Sequence, residues 1–516
     1  MTPALGSCQP PRGTVADVKN DRRTIFGWAM YDWANSAYST VIAGAVLPAF
    51  FVSEVVGEQG WNGRSGESLF ALTLALGTLL LFLAMPVLGA IADFSAAKRR
   101  FLRVFAYGGS LFTASLFLAT SGNVLATLGL FLLAQIGFVG ANVFYDGFLP
   151  DISTPDTIDR VSSRGFAFGY IGGGLWLGVV IAMIQFMDDG GLAARIGIGA
   201  TGLWWAGFTR FALSRLQETG SASDLPDTVT VPRSWVSGVT RLTLGIGVGV
   251  LALMWLLVTG AGEFVFNAVL LAWMAALIYS VYRIATSRST ATVSLTGAYS
   301  RIAGIGFARM FDTAAKLRQF PQLMLFVLAF MLYNDGVQTT INVSAAYAAG
   351  TLQLETSVIA MTFLVVQFVA FGGALLFGWL STRLHIKRAI QINLVVWMVV
   401  AILAFQLPAG EAIPFLSLGV VIGFVLGGIQ ALSRSLYGSM IPEEASAEFY
   451  GFYSVFSKFS AIWGPLIFGL VSGSGKSSRT AILSVIVFFV LGLLVFSRVD
   501  VEEARRSKSN WTFETR

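Results

Sequence analysis

The sequence predicts an all-α polytopic membrane protein: two six-helix bundles related by a pseudo-two-fold axis, with an extra transmembrane helix pair between them. Three observations lead there. Of 516 residues, 55% are hydrophobic and only 12% charged, about half the charged share of a soluble chain, and the mean hydropathy is +0.72. Apolar stretches repeatedly reach the ~20 residues with which a helix crosses the hydrocarbon core. Two loop sequences also recur, in the same order, in the two halves of the chain. Continuous apolar runs without period-2 alternation argue against a barrel, the other fold that leaves no backbone group unpaired in lipid.

A polar cytoplasmic tail is expected at 1–24, followed by the first bundle at 25–213 with apolar runs at 25–51, 69–92, 101–120, 124–148, 165–187 and 194–213. Residues 214–320 form a cytoplasmic linker holding an inserted pair at about 242–282, whose arms, 242–259 and 264–282, are split by Gly260, Gly262 and Glu263. Both arms are long enough to span and neither has a charged face, which gives fourteen helices. The alternative, twelve, lays the pair on the membrane surface. The second bundle occupies 321–499, with runs at 321–348, 357–380, 389–407, 414–436, 449–471 and 480–498, and 500–516 is a second cytoplasmic tail. The first apolar run continues past Phe50, too long for the core of a cleavable signal peptide.

Lys and Arg set the orientation. With the N-terminus inside, only Arg64, Arg195, Lys476 and Arg479 fall outside and Lys458 lies within a helix; every other basic residue is on the inner side. The net charge of +6 is therefore a topology signal and implies no nucleic-acid partner. The inserted pair leaves the alternation intact, which supports spanning.

The internal repeat rests on GAIADFSAAK at 89–98 against GWLSTRLHIK at 378–387, which aligns Gly89 with Gly378 and Lys98 with Lys387. A second match, YDGFLPDI at 145–152 against YGSMIPEE at 437–444, follows the fourth helix of each set. Parallel repeats of this kind place a solute path at their interface, near the membrane midplane. Gly89, Asp93, Lys98, Arg99 and Arg100 together resemble the loop signature of the major facilitator superfamily. Such a loop can act as a conformational latch, its acid and bases pairing with neighbouring helix ends in one state and releasing them in another. In the second half Thr382 replaces the acid, which weakens any latch at Gly378. The competing reading of the loop is a solvated, topogenic one. YDWANSAY at 31–38, LYNDGVQTT at 332–340 and FYSVFSKF at 452–459 resemble the vacuole-effluxer-like branch of that superfamily. Its best-known fungal members export amino acids from the vacuole during autophagy. The resemblance covers both six-helix sets, though not the insert, and implies the major-facilitator fold and transport by alternating access.

Polar side chains in spanning helices mark candidate sites, because each is costly in lipid. On the first helix Tyr31, Asn35 and Tyr38 share a face, with Asp32, Ser36 and Ser39 on the adjoining stripe. The fourth adds Gln135, Asn142 and Asp146, the last expected in a structural turn ending at Pro150. On the seventh, Asn334, Gln338 and Asn342 stack at i, i+4, i+8, beside Asp335 and Thr339. In the superfamily that the chain resembles, these three helices line the central cavity. Tyr31, Asp32, Asn35, Tyr38, Gln135, Asn142, Asn334, Asp335, Gln338 and Asn342 are the expected substrate-binding residues. The alternative is glue between helices, worth about 0.6 kcal/mol per contact, and this is the reading for Gln185, Gln367 and Asn393. Lys458 falls in mid-membrane and needs a carboxylate, Asp32 or Asp335. That pair is either a permanent brace or the switching element that exchanges with a proton or with substrate charge.

Other chemistry is not expected. Cys8 and His385 are the only cysteine and histidine, too few for a metal centre or a histidine-based hydrolase, so neither cofactor nor enzymatic activity is anticipated. GSGKSS at 473–478 lacks the leading glycine of a phosphate loop, position 470 being Leu470. The expected function is secondary active transport of a small polar solute, amino acids first, directed outward and coupled to protons. Expected partners are the solute, the coupling proton and the bilayer, with no obligatory protein partner; the location is the cell membrane of a prokaryote or the vacuolar membrane of a fungus. Two alternatives are export of amphipathic drugs or lysolipids, and a transport-inactive scaffold or sensor.

Overall fold

The computed structural model describes residues 19–78, 98–154, 157–216, 228–232, 262–285, 290–294, 320–441, 460–473 and 478–507, with single positions in 245–260 and 449–457. Among these residues nine helices are long and apolar enough to cross a membrane. With the shorter and interrupted ones the architecture is the nearly all-helical one that the sequence predicts, with about fourteen helices.

α1 (Arg22–Val56) starts at Asp21, whose carboxylate accepts from the Thr24 backbone N–H at 2.9 Å and from its hydroxyl at 2.8 Å. These donors hold the Asp21 carboxyl below the usual range. Farther along, π-helical turns at Tyr38–Ala45 and Phe51–Val56 flank Pro48, which has no N–H to give and crowds the preceding turn, so the ladder slips there. α2 covers 66–78, its apolar run beginning at Leu69. α3 (Lys98–Leu118), α4 (Val124–Gly147), α5 (Ile158–Phe186) and α6 (Gly190–Arg215) complete the described part of the first half. α3 and α4 touch backbone to backbone: a Cβ on Gly137 would strike Gly109, the close approach that small residues permit between membrane helices.

The second half holds α8 (Pro321–Gly350), α9 (Thr356–Leu384), α10 (Ile386–Gln406) and α11 (Ala412–Met440). An interrupted eleventh core helix follows, whose latter part is α12 (Trp463–Gly473) after a turn at 460–462. α13 (Ser478–Ser497) and the short α14 (Val501–Ser507) end it. His385 makes the tight α9–α10 turn at φ 64°. Each half has its own apolar core, one around Trp205 and one around Trp397.

The insert enters the fold at a definite place. α7 (Glu263–Ala285) packs Phe266 and Leu270 against Leu72 and Ala75 of α2 and against Ile462 and Leu466 of the second half. Trp273 Nε1 donates to the Gly245 carbonyl at 2.8 Å and ties α7 to the first arm. A Cβ on Gly260 would lie 3.8 Å from Asn62, and the Arg64 guanidinium stands 4.2 Å over the Phe266 ring. The turn of the pair thus lies beside the α1–α2 loop, and α7, with Leu253 of the first arm, packs at the seam between the halves. This supports spanning over the surface-lying alternative. β1 (Thr228–Pro232) and β2 (Thr290–Ser294) pair antiparallel, Thr228 opposite Ser294, and close the excursion with a ribbon not expected from the sequence.

Candidate functional site: polar side chains of the two halves

The two ends of the bundle differ. At the end where α1 finishes, the Val56 end, Ala49 and Ala71 belong to the core of the second half, while Ala346 and Ala360 belong to that of the first. The Ser68 hydroxyl donates to the Gly469 carbonyl at 2.8 Å and the Thr351 hydroxyl to Glu67 Oε1 at 2.7 Å. At the opposite, Arg22 end, the first part of α1 packs chiefly on α5 and α6 of its own half. The inter-half bond seen toward that end joins exposed side chains: Tyr170 OH of α5 donates to Gln430 Oε1 of α11 at 3.2 Å. Among the described residues, the halves are therefore clamped at the Val56 end, and the Tyr170–Gln430 bond joins them toward the other.

The predicted residues separate into bonded and accessible groups. Asn35 donates to Asn142 Oδ1 at 2.5 Å and Tyr38 OH to Gln135 Oε1 at 3.0 Å, which fastens α1 to α4 inside the first half. Tyr31 is fully buried, its ring 5.0 Å from that of Tyr145. The Tyr31–Asn35–Tyr38 stripe thus faces inward on its own bundle. The adjoining stripe keeps accessible surface: Asp32 and Ser36 are half-buried and Ser39 is exposed. Asp32 sits ten residues into α1, roughly 15 Å, against α5, where a Cβ on Gly169 would come within 3.2 Å of its carboxyl carbon.

In the second half, Asn334 donates to Ser460 Oγ at 2.6 Å and to the Ser457 carbonyl at 3.1 Å. Asp335, 1% exposed, accepts from the Gly464 backbone N–H at 2.9 Å and from Thr339 Oγ1 at 3.4 Å. Its carboxylate therefore caps α12 just beyond the interruption, where unpaired N–H groups and the helix dipole favour negative charge. Gln338 and Asn342 are half-buried on the same side of α8. Lys458, the expected partner of one of these acids, lies outside the described residues.

The latch residues divide similarly. Gly89 and Asp93 lie outside the described residues. Lys98 forms an ion pair with Asp151 at 2.9 Å and donates to the Gly147 carbonyl at 3.0 Å, so the first repeated loop is fastened to the second at the end of α4. Arg99 is half-buried and Arg100 exposed. In the other half Lys387 reaches the Ser497 and Val499 carbonyls at 3.0 and 2.7 Å. A Cβ on Gly378 would meet nothing within 4 Å, so packing does not demand glycine there. Asn393 is the expected glue, donating to the Val425 carbonyl at 2.9 Å, whereas Gln185 is exposed. Sequence reasoning missed Tyr170 and Gln430. Gln430, a lone amide within the apolar run 414–436, carried the same signal as Gln338; Tyr170 among aromatic and glycine neighbours carried none.

A helical fold of two bundles, clamped together at one end and carrying accessible polar side chains on both halves, is that of a membrane transporter of the major facilitator type. The family model for vacuole effluxer Atg22-like proteins matches residues 20–509, and the chain belongs to that family. It is 30% identical over 481 residues to the uncharacterized MFS-type transporter YxiO of Bacillus subtilis (strain 168), covering 92% of this chain and 94% of that protein. It is 27% identical over 216 residues to autophagy-related protein 22-1 of Neosartorya fischeri, a match spanning 38% of this chain and 34% of that one. Among solved structures, a D-xylose–proton symporter superimposes with a TM-score of 0.57 at 12% identity, over 93% of this chain and 98% of that chain. A point mutant of the nucleoside transporter NupG does so with 0.56 at 14%, over 92% and 99%. At these identities the likeness concerns the fold.

Proposed function

We propose that the protein exports a small zwitterionic solute of the amino-acid class by alternating access, driven by protons. The observation that carries this reading is Asp32, a carboxylate at mid-depth that keeps accessible surface. It stands on α1 beside α5, which presents Tyr170, while α8 offers Gln338 and Asn342 and α11 offers Gln430. A primary ammonium would meet Asp32 in a charge-assisted bond, amides and the Tyr170 hydroxyl would orient the rest, and Lys458 would receive the carboxylate. The basic residues at the Arg22 end support a cytoplasmic position for that end, and with it access to Asp32 from the inner side. The family's description as vacuole effluxers agrees with outward transport.

The test is flux of a labelled amino-acid panel in vesicles reconstituted with the full chain, with and without a pH gradient of either sign. Counterflow of at least one amino acid, accelerated by the gradient, is expected. Flux of amphipathic dyes or lysolipids with none of any amino acid would replace this reading.

A further inference from the structure

Glu67 has no part in the proposed solute site, yet it is the most enclosed acid of the clamped end. It is 3% exposed and lies in the first turn of α2, ahead of the apolar run that starts at Leu69. Thr351, just past the end of α8 in the other half, donates to its Oε1 at 2.7 Å. Ser478 at the start of α13 is its further side-chain neighbour. A Cβ on Gly350 would collide with the Glu67 carboxylate, so the missing side chain there makes room for the acid. The next residue, Ser68, makes the other side-chain bond described across this seam, to Gly469. The charged groups that face the site are Arg64 on its own loop, stacked on Phe266 of α7, and Arg479 of α13, which donates to the Phe405 and Leu407 carbonyls. Tyr347 of α8 lies near both Arg479 and Glu67.

We infer that Glu67 is a proton-binding site of the gate at the Val56 end, holding a proton while the halves are clamped and releasing it when they part there. The inference rests on the alternating-access reading above but not on the identity of the solute. Closure takes the carboxyl out of water, with the Thr351 hydroxyl on Oε1 and Oε2 buried. Opening returns it to solvent, and a group whose surroundings change in this way links protonation to conformation. Burial pushes the Glu67 carboxyl up to about 7 in the closed form, against an ordinary glutamate value of about 4.3 once hydrated. The sign follows from proton occupancy. Between those values the closed form binds the proton and the open form does not, so closure is fully favoured below the lower value. It loses its advantage as pH rises toward about 7 and then levels off.

The experiment needs no substrate. Spin labels at Gln59→Cys and Glu355→Cys, exposed positions on either side of the gate, are placed in a Cys8→Ser background. Their separation is measured in lipid from pH 4 to 9. The parent is expected to shift toward longer distances as pH rises, the open-to-closed ratio changing by up to about tenfold per pH unit for one proton. Glu67→Gln, nearly isosteric and permanently neutral, is expected to stay at the short distance throughout. Glu67→Asp is expected to keep a pH response with a displaced midpoint. A Glu67→Gln response equal to that of the parent, or a parent distance independent of pH, overturns the proposal. A gate with the expected response in a chain that carries no amino acid leaves Glu67 in place and removes only the amino-acid reading.

Discussion

The two halves answer matching sequence instructions with different bonds. Both first helices carry an acid beside an amide near mid-membrane: Asp32 with Asn35 on α1, and Asp335 with Asn334 on α8. In the first half the amide fastens α1 to Asn142 of α4, and Asp32 keeps accessible surface. In the second half amide and acid both turn to the eleventh core helix, Asn334 to Ser460 and Asp335 to Gly464, and the acid is buried where that helix is interrupted. A buried carboxylate whose Oδ1 accepts from Gly464 and Thr339 is committed to architecture, while a half-buried one keeps surface for a ligand. The halves thus divide the work: the second provides a braced wall, and the first presents the charge.

The largest effect expected from this contrast is on stability. Asp335→Ala leaves the Gly464 N–H and the Thr339 hydroxyl buried without their acceptor and should cost about 2–3 kcal/mol, read as a lowered thermal midpoint in detergent. Asp335→Asn keeps an acceptor oxygen and should lose clearly less. If Asp335→Ala matched the parent midpoint, the idea that this acid is architectural would fail.

Asp32→Asn should behave in the opposite way. Its thermal midpoint should stay with the parent, whereas the half-saturating concentration of an aminated solute should rise by about ten- to a hundredfold. That is the loss of one charge-assisted bond of roughly 1.5–3 kcal/mol. A destabilised Asp32→Asn protein with unchanged half-saturation would reverse the roles of the two acids and erase the contrast.

Hydropathy and charge alternation made the helix count, the repeat and the insert legible, because lipid constrains every span independently. The site was legible only to the level of a helix. Spacing showed that Tyr31, Asn35 and Tyr38 share one stripe and that Asp32, Ser36 and Ser39 share the next, but not which stripe keeps accessible surface. Helix rotation is decided by the neighbours, here Gln135 and Asn142 on α4 and the glycines of α5. Asp335 as a helix cap was unreadable for a similar reason: its partner is a backbone N–H 129 residues away, exposed by an interruption that the apolar run 449–471 conceals. Glu67 stands outside the apolar runs, and nothing near it in sequence points to Thr351 and Gly350 of the other half, which lie against it.

The smallest effect tests whether the division extends to the repeated loops at the Arg22 end. Lys98 and Lys387 align in sequence, but Lys98 meets an acid, Asp151, with side chains 15% and 23% exposed, whereas Lys387 meets two carbonyls at the end of α13. An ion pair this accessible is worth about 0.5–1 kcal/mol after screening, and a cation at a helix C-terminus about 0.3–1 kcal/mol. Single substitutions to Met would therefore look alike, and a double-mutant cycle separates them. Lys98→Met with Asp151→Asn should show a coupling of about 0.5 kcal/mol that shrinks in high salt. Lys387→Met with Asp500→Asn should show less, because Asp500 is held chiefly by the backbone N–H groups of Glu502 and Glu503 at 3.0 Å, Lys387 is the weakest of the influences on it, and Lys387 itself bonds to peptide carbonyls. Equal couplings would mean that the two loops do one job after all. Unequal ones would show that the duplication kept the lysine and changed what it holds, pinning the end of α4 in one half and the end of α13 in the other.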